Sequence, residues 1–310
     1  MNTLKISIKT LRDGKSVIFF GDKKVTTGKS GRGLEEVVEF HYRKITGVKA
    51  PFNIIMGETK IEESKSTKFD INQRFGFVEK LVNMVATGVQ PSAIITGEGG
   101  LGKTYTVTKT LESAGYKDIS DLADFQVGTI INTRKCFTMV KGYSTPKGLY
   151  RTLFENNKSI IVFDDCDSVL KDPVALNLLK SALDSYGKRI ISWNADMKDE
   201  DLPRSFNFEG RVIFISNMDD GKIDQAIRSR SMMIDLTMTT EQKIERMETI
   251  AMSDEFLPEY DKSIVRDALG LIREIAKDCK EISLRTLISV SKVRASNSDW
   301  KDLATYMLTA

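Results

Sequence analysis

The sequence predicts an α/β fold in which a mainly parallel sheet is covered by helices on both faces. Short apolar runs that are rich in β-branched residues occur at 92–96, 136–140, 159–163, 189–193 and 211–216. Segments with the apolar spacing of helices alternate with most of these runs. Because the runs are continuously apolar, they are interpreted as strands buried on both faces, which is typical of parallel sheets.

Helices are predicted between these strands and after them. The helical segments of the sheet region are 75–84, 105–113, 145–155 and 174–186. From Thr240 onward the whole pattern is helical, with amphipathic stretches at 263–277 and 283–294 and an N-terminal capping pattern at 239–242. This C-terminal part is interpreted as a separate small helical domain.

The first part of the chain predicts a small α+β domain. Residues 1–8 alternate between apolar and polar side chains, and 16–20 is a second β-rich run, so the two predict a hairpin. Residues 21–33 form a loop rich in glycine and lysine, 34–45 has helical spacing, and 57–68 is a polar linker. The predicted domains are therefore 1–66, 67–238 and 239–310.

Composition excludes several classes of chemistry. The 310 residues are 41% hydrophobic and 29% charged, with a net charge of +3, which describes an ordinary soluble globular protein. His41 is the single histidine and the three cysteines are scattered, so a zinc site or histidine-dependent catalysis is not expected. The absence of a signal-peptide pattern and of a long apolar run predicts a cytoplasmic protein without a membrane partner.

The most informative stretch reads GEGGLGKT, between the strand at 92–96 and a helix. It matches the pattern G-x-x-x-x-G-K-[ST] in the setting in which that pattern binds nucleotide phosphates. Glycines lack Cβ and let the loop curl until its N–H groups face one anion. Lys103 is expected to reach the β- and γ-phosphates, and the Thr104 hydroxyl to bind Mg²⁺. The predicted nucleotide-binding residues are Gly97, Glu98, Gly99, Gly100, Leu101, Gly102, Lys103, Thr104 and Tyr105.

A second acidic motif follows the strand at 159–163. The run IIVF is followed by Asp164 and Asp165, which places two carboxylates at the carboxyl edge of the sheet, where open α/β sheets bind ligands. Asp164 is predicted to hold the Mg²⁺, and Asp165 to orient or deprotonate the attacking water. The alternative is an acidic turn at the end of a strand.

The order of five motifs resembles that of AAA+ ATPases, a superfamily of P-loop NTPases. The motifs are GEGGLGKT, IIVFDD, VIFISN (212–217), AIRSRS (226–231) and SLRTL (283–287). The resemblance covers about residues 70–295. It implies a three-layer α/β core with a C-terminal helical lid, ATP and Mg²⁺ as cofactors, and ATP hydrolysis. The IRSRS stretch resembles the Ser-Arg-Cys region of clamp-loader subunits, with Ser231 in place of cysteine, and IVFDDCD and GRVIFISN resemble uncharacterised phage-encoded AAA+ proteins.

The resemblance also implies roles for single residues. Asn217 would be the polar "sensor 1" group near the γ-phosphate, and Arg285 would be "sensor 2", which contacts the γ-phosphate from the lid. Arg230 would be the arginine finger that reaches the ATP of a neighbouring subunit, with Arg228 as the alternative. A finger acting in trans requires a homo-oligomer, most often a ring of six in this superfamily.

One departure from the family pattern concerns the acidic pair. AAA+ proteins usually have Asp-Glu where this chain has Asp164-Asp165. Because aspartate is one methylene shorter, turnover is expected to be slow, and Asp167 competes for the role of the catalytic carboxylate.

Two further stretches allow two interpretations each. Residues 142–148 are either a pore loop that grips a polymer or a capped turn between a strand and a helix. Residues 188–211 are either a β-hairpin insertion or core strands joined by a surface loop. Three function classes remain open: a nucleic-acid machine such as a loader, helicase or replication accessory, a protein remodeller or unfoldase, and a nucleotide switch that scaffolds partners. Residues 1–70 contain 14 Lys and Arg against 9 Asp and Glu, which favours DNA as a partner.

Overall fold

The structure is a computed structural model that describes residues 6–10, 16–20, 23–28, 40, 42–44, 68–120, 135–184, 187–194 and 202–310. The chain divides into two compact units, Met1–Ser66 and Thr67–Ala310. The helices from Thr240 onward belong to the same unit as the main sheet.

The first unit contains a three-stranded antiparallel sheet. Its strands are β1 (Ile6–Thr10), β2 (Ser16–Phe20) and β3 (Lys23–Gly28). The pairing of β1 with β2 confirms the predicted hairpin. The prediction of a loop over 21–33 is wrong for residues 23–28, because they pair with β2 and continue the meander. Residues 40 and 42–44 are helical, and most of the predicted linker lies outside the described residues.

The second unit is built on a sheet of six parallel strands. Its strands are β4 (Ser92–Thr96), β5 (Lys117–Asp118), β6 (Cys136–Lys141), β7 (Ile160–Asp164), β10 (Arg211–Ile215) and β11 (Met232–Asp235). Their order across the sheet is β11-β4-β10-β7-β6-β5, and every neighbouring pair is parallel. The predicted fold class is confirmed.

The helices of this unit cover the sheet and continue beyond it. They are α1 (Ile71–Thr87), α2 (Lys103–Ser113), α3 (Pro146–Glu155), α4 (Pro173–Ala182), α5 (Gln225–Arg228), α6 (Thr240–Ala251), α7 (Lys262–Glu274), α8 (Leu284–Ser296) and α9 (Trp300–Thr309). None of the described helices is long and apolar enough to cross a membrane.

The central strands are apolar throughout because they bury both faces. Along β7, Ile161 and Phe163 pack into a cluster with α3 and α4, whereas Ile160 and Val162 pack into a cluster with α1 and α2. Successive strand residues point to opposite faces, so one continuous apolar run supplies two cores. Parallel strands also end at the same edge, which brings the loops after β4, β7 and β10 together.

Two strands of the main sheet differ from the expectations, and the hairpin interpretation of residues 188–211 is confirmed. β5 and β11 are not predicted, because β5 has only two residues and the residues of β11 are only partly buried or exposed. The stretch 188–211 is a hairpin: β8 (Ile190–Ser192) pairs antiparallel with β9 (Ser205–Asn207), outside the main sheet. Residues 195–201 between these strands lie outside the described residues.

The C-terminal helices have an apolar cluster of their own. Residues of α6, α7, α8 and α9 form it, Trp300 among them. The N-terminal cap predicted at the start of α6 is present and forms a capping box, since the Thr239 side chain accepts from the Gln242 N–H and the Gln242 side chain accepts from the Thr239 N–H. This cap fixes where the helical part begins, directly after β11.

Candidate functional site

The loop from Gly97 to Thr104 joins the end of β4 to the start of α2. Gly97, Gly100 and Gly102 have φ values of 132°, 73° and 93°, conformations that L side chains rarely adopt. At Gly97 a Cβ would also lie 2.9 Å from the backbone carbonyl carbon of Leu236. No side chain caps the N-terminus of α2. Its first N–H groups and its positive dipole end therefore face the loop, as an anion site requires.

The Lys103 ammonium lies under this loop and is nearly fully buried. It donates to the carbonyl oxygens of Gly97 at 2.6 Å and Glu98 at 2.7 Å, and to Asn217 Oδ1 at 2.9 Å. Burial lowers the pKa of Lys103 to about 8, although nearby carboxylates, Asp165 first among them, oppose the shift. A buried cation next to a glycine loop is the arrangement expected of a residue that meets phosphate oxygens.

The Thr104 hydroxyl and the Asp164 carboxylate lie side by side. Thr104 Oγ1 donates to Asp164 at 3.0 Å from Oδ1 and 3.2 Å from Oδ2. Burial raises the pKa of Asp164, which is the last residue of β7. One carboxylate and one hydroxyl suit Mg²⁺, which usually takes one or two protein oxygens together with phosphate and water. Among the described residues, no three His, Cys, Asp or Glu side chains are grouped to hold a metal ion.

Asp165 has an unusual backbone conformation for an aspartate, with φ of +55°. Its N–H donates to the carbonyl of Ile215 at 3.0 Å, which ties the residue after β7 to the end of β10. Its Oδ1 accepts from Asn217 Nδ2 at 2.7 Å. Asn217 therefore bridges Lys103 and Asp165, with its carbonyl oxygen on the cation and its amide on the carboxylate.

Asp167 does not share this arrangement. Its Oδ1 accepts from the Ser216 hydroxyl at 2.6 Å, and it does not line the cavity beside the glycine loop. The geometry favours Asp165 over Asp167 as the carboxylate that faces a ligand.

These groups surround one cavity of about 250 Å³ at the carboxyl edge of the sheet. Its walls come from the glycine loop, α2, the ends of β7 and β10, and the start of α8. The lining residues are Gly99, Gly100, Gly102, Lys103, Thr104, Tyr105, Asp164, Asp165, Ile215, Asn217, Leu284, Arg285 and Ile288. Arg285, predicted from the SLRTL motif, is thus brought to the same cavity as the loop and the acidic pair.

The C-terminal helices and the residue before α8 contact the glycine loop directly. The Leu284 N–H donates to the Gly100 carbonyl at 2.8 Å, and a Cβ on Gly100 would lie 3.0 Å from Ser283 Cβ. Glu98 forms an ion pair with Lys243 of α6. Sequence reasoning missed Leu284, Ile288 and Lys243. For the first two, the adjacent Arg285 and the helical spacing were usable signals, whereas nothing near Lys243 indicates its partner.

The two arginines predicted as candidates for the arginine finger, Arg228 and Arg230, lie outside this cavity. Arg230 donates from Nη1 to the Ala226 carbonyl at 3.0 Å, and its buried Nε has no hydrogen-bond partner among the described residues. Arg228 is exposed and donates to the Asp220 carbonyl at 3.3 Å. Neither lines the cavity of its own chain. The choice between them stays a prediction.

The turn between β6 and α3 presents Tyr143 to solvent. Its side chain is 80% exposed, and the preceding Gly142 has φ of 85° with open space around it. Thr145 caps α3 by accepting from the Gly148 N–H, so the residues also form the capped turn that was the alternative interpretation.

Comparison with known proteins finds a curated relative of comparable length and solved structures that match much of the chain. No family model matches the chain. An uncharacterised 36.7 kDa protein of the nrdC-mobD intergenic region of Enterobacteria phage T4 is 29% identical over 269 residues, which cover 79% of this chain and 78% of the relative. The crystal structure of the FIGL-1 AAA domain in complex with ADP is 15% identical, covering 76% of this chain and 68% of that one, with a TM-score of 0.32.

Proposed function

We propose that the chain is an ATPase of the AAA+ type, which hydrolyses ATP to ADP and phosphate. The observation that carries the proposal is the convergence of Lys103, Thr104, Asp164, Asp165 and Asn217 on one cavity beside an uncapped helix N-terminus. These residues come from α2 and from the ends of β7 and β10, which are distant in sequence. The five-motif order of the sequence supports the same conclusion.

Each group has a role in this proposal. Lys103 and the loop N–H groups bind the β- and γ-phosphates. Thr104 and Asp164 hold Mg²⁺, which when bound neutralises charge on the phosphate oxygens. Asp165 orients the attacking water and takes its proton, while the 2.7 Å hydrogen bond from Asn217 fixes the carboxylate. Arg285 approaches the γ-phosphate from α8.

The same proposal includes a ring of identical subunits. Arg230, or Arg228 two residues before it, reaches the ATP of the neighbour and stabilises charge in the transition state. Both arginines lie outside the cavity of their own chain, as a residue acting in trans should.

Replacing Lys103 with alanine tests the nucleotide site. MgATP binding, measured by calorimetry, is expected to be lost, because the variant lacks the cation that is proposed to face the β- and γ-phosphates. Lys301→Ala removes an exposed lysine of α9 and is the charge-matched control, with unchanged binding. Parental affinity in the Lys103 variant would refute the assignment.

For the cellular role we propose action on nucleic acid, as a loader, helicase or replication accessory. The basic surplus of residues 1–70 supports it, and Lys23 and Lys24 belong to a defined strand of the first unit. Contacts to phosphates do not depend on base sequence, so binding should be unspecific and weaken with salt.

The second candidate is a protein remodeller, which the 80% exposure of Tyr143 favours. The ATPase rate separates the two when it is measured alone, with single- or double-stranded DNA, and with an unfolded protein. Stimulation by DNA supports the first function, and stimulation by the unfolded protein supports the second. A rate that no addition changes favours the third class, a nucleotide switch.

A further inference from the structure

The three-stranded sheet of the first unit carries different residues on its two faces. Residues that pair across an antiparallel ladder lie on the same face, and successive residues of a strand alternate between faces. The pairing of β1 with β2 therefore defines an apolar face with Ile6, Ile8, Ile18 and Phe20. It also defines a mixed face with Ser7, Lys9, Val17 and Phe19. Since antiparallel sheets commonly bury their more apolar face, the mixed face is the one suited to a ligand.

A β-bulge in β3 adds a second lysine to the mixed face. The register between β2 and β3 shifts next to Phe19, and Val25 is the extra residue that β2 does not match. In a regular ladder Lys24 would pair with Phe20, on the apolar face. The bulge pairs Lys24 with Phe19 instead, on the mixed face. Bulges are over-represented next to functional sites, where they redirect a residue.

On the mixed face, Phe19 lies between two lysines. Lys24 is directly opposite Phe19 on β3, and Lys9 is diagonal to it on β1, one pair further along the ladder. Because β2 is the central strand of this sheet, the aromatic residue is in the middle row and the cations are in the flanking rows. No residue of these three strands is acidic. An aromatic residue flanked by cations is typical of surfaces that bind single-stranded nucleic acid.

We propose that the mixed face binds single-stranded nucleic acid, with Phe19 stacking on a base and with Lys9 and Lys24 contacting the phosphates beside it. The inference rests on the proposed action on nucleic acid and deepens it, since it assigns the face and the form of the ligand. Every base has a π-face and every nucleotide has a phosphate, so this binding is independent of sequence. A duplex is a poorer ligand for the face, because its bases are already stacked on one another.

Fluorescence anisotropy of labelled oligo-dT and oligo-U of about 20 nucleotides, titrated with the full chain, tests the stacking role. Phe19→Leu keeps the apolar volume but has no aromatic ring, and it is expected to weaken binding about tenfold, the usual loss for one stacked base. Phe19→Tyr keeps a ring and should bind within about threefold of the parent. Tighter binding of either oligonucleotide supports the proposal and identifies the sugar that the face prefers.

The dependence of the affinity on salt tests the two lysines. Each phosphate contact contributes about −0.7 to the log–log slope for a single strand, so replacing Lys9 and Lys24 together with alanine should reduce its magnitude by about 1.4. Lys44→Ala removes an exposed lysine of the same unit and is the charge-matched control, with an unchanged slope. Lys23→Ala, next to Lys24 but paired with Phe20 on the apolar face, should change the slope less than Lys24→Ala does.

Unchanged unfolding temperatures would show that the variants are folded. A Phe19→Leu variant that binds like the parent would overturn the stacking role, and so would a Phe19→Tyr variant as weak as Phe19→Leu. Equal slopes for Lys23→Ala and Lys24→Ala, or tighter binding of a duplex of the same length, would overturn the assignment to this face while leaving an action on nucleic acid in place. A parent that binds no oligonucleotide would overturn both, and the ATPase assignment would still stand on the Lys103→Ala test.

Discussion

The two edges of the main sheet each carry a cavity lined by basic residues, and the larger one is at the edge opposite the glycine loop. At the amino edge, where the parallel strands begin, the cavity measures about 600 Å³. The cavity at the carboxyl edge, where the strands end, measures about 250 Å³. The amino-edge cavity is lined by residues that precede β4, β7, β8 and β10, Arg189 among them, and by Arg211, the first residue of β10. Cavity volume alone would therefore favour the edge opposite the proposed site.

The arginines at the amino edge form hydrogen bonds to backbone carbonyls at helix ends. Arg211 donates to the carbonyls of Val85 at 2.8 Å and Ala86 at 2.6 Å, in the last turn of α1. Arg189 donates to the carbonyl of Ala182 at 3.1 Å, at the end of α4. Helix C-termini expose unpaired carbonyls and a negative dipole end, which cations satisfy.

The carboxyl edge has the opposite character. It combines an uncapped helix N-terminus, the left-handed conformation of Asp165 and a buried lysine whose pKa is lowered. Such strain and such buried charge cost stability and persist where a ligand uses them. The comparison shows that backbone strain and an uncapped helix N-terminus distinguish the edge of the proposed site from the other edge, whereas basic residues occur at both and the larger cavity is at the other.

The sharpest test of this contrast is Asp165→Asn. Hydrolysis is expected to slow by about 10²–10⁴-fold, the usual contribution of a general base, while ATP binding is retained. Single-turnover assays with excess enzyme measure the loss. Asp164→Asn should instead raise the Mg²⁺ concentration that hydrolysis requires.

Asp167→Asn serves as the control, because Asp167 accepts from Ser216 outside the cavity. Its hydrolysis rate should stay within a few-fold of the parental rate. A slow Asp167 variant beside a normal Asp165 variant would assign the catalytic carboxylate to Asp167.

The next largest effect concerns stability. Arg211→Met leaves the carbonyls of Val85 and Ala86 without their donor and should lower the free energy of unfolding by about 1–3 kcal/mol. The affinity for MgATP should remain within about twofold, because Arg211 is at the other edge of the sheet. Lys103→Met should show the reverse pattern, with binding lost and stability changed by less than about 1 kcal/mol. The desolvation penalty of the buried ammonium, which lowers its pKa, disappears with the cation and offsets the lost hydrogen bonds to the Gly97 and Glu98 carbonyls. Urea unfolding and calorimetry on both variants measure the two quantities; equal destabilisation would contradict the contrast.

Local patterns explain why much of this was predictable from the sequence. The strand, glycine loop and helix at 92–113 are encoded in consecutive residues, and so are the apolar run and the carboxylates of β7. The carboxyl-edge position of Asp164 follows from the parallel sheet alone. The sequence was therefore sufficient for the fold class and for grouping the loop with the acidic pair.

The features that the sequence did not predict depend on contacts between residues that are distant in the chain. Glu98 and Lys243 are 145 positions apart, and Tyr105 and Glu255 are 150 apart, with no local pattern that links them. β11 is a four-residue strand whose residues are partly or fully exposed, so it lacks the apolar run that marked its neighbours. The positive φ of Asp165 occurs together with a hydrogen bond from its N–H to the end of β10, and no sequence pattern indicates it.

The smallest expected effects concern pH. Raising the pH should weaken MgATP binding but increase the free energy of unfolding. Burial lowers the pKa of Lys103 from 10.5 to about 8. Between pH 8 and 10.5 the unfolded chain keeps this proton while the folded protein has lost it, so the free energy of unfolding should rise with pH in this window. Phosphates require the ammonium form. At pH 9 about a tenth of the folded molecules carry it, and MgATP affinity should be roughly tenfold lower than at pH 7.5.

Lys103→Met separates the contribution of Lys103 to the pH dependence of stability from the contributions of thiols and tyrosines. In that variant the alkaline rise in stability should flatten, while the contributions of all other groups remain. Calorimetry from pH 7.5 to 9.5 measures the affinity of the parent, and urea unfolding over the same range measures the stability of both proteins. An affinity that stays constant to pH 9.5 would mean that Lys103 keeps its proton despite burial. The cation would then be stabilised by its carbonyl and amide partners, and the two edges would differ in backbone strain but not in the charge of their basic residues.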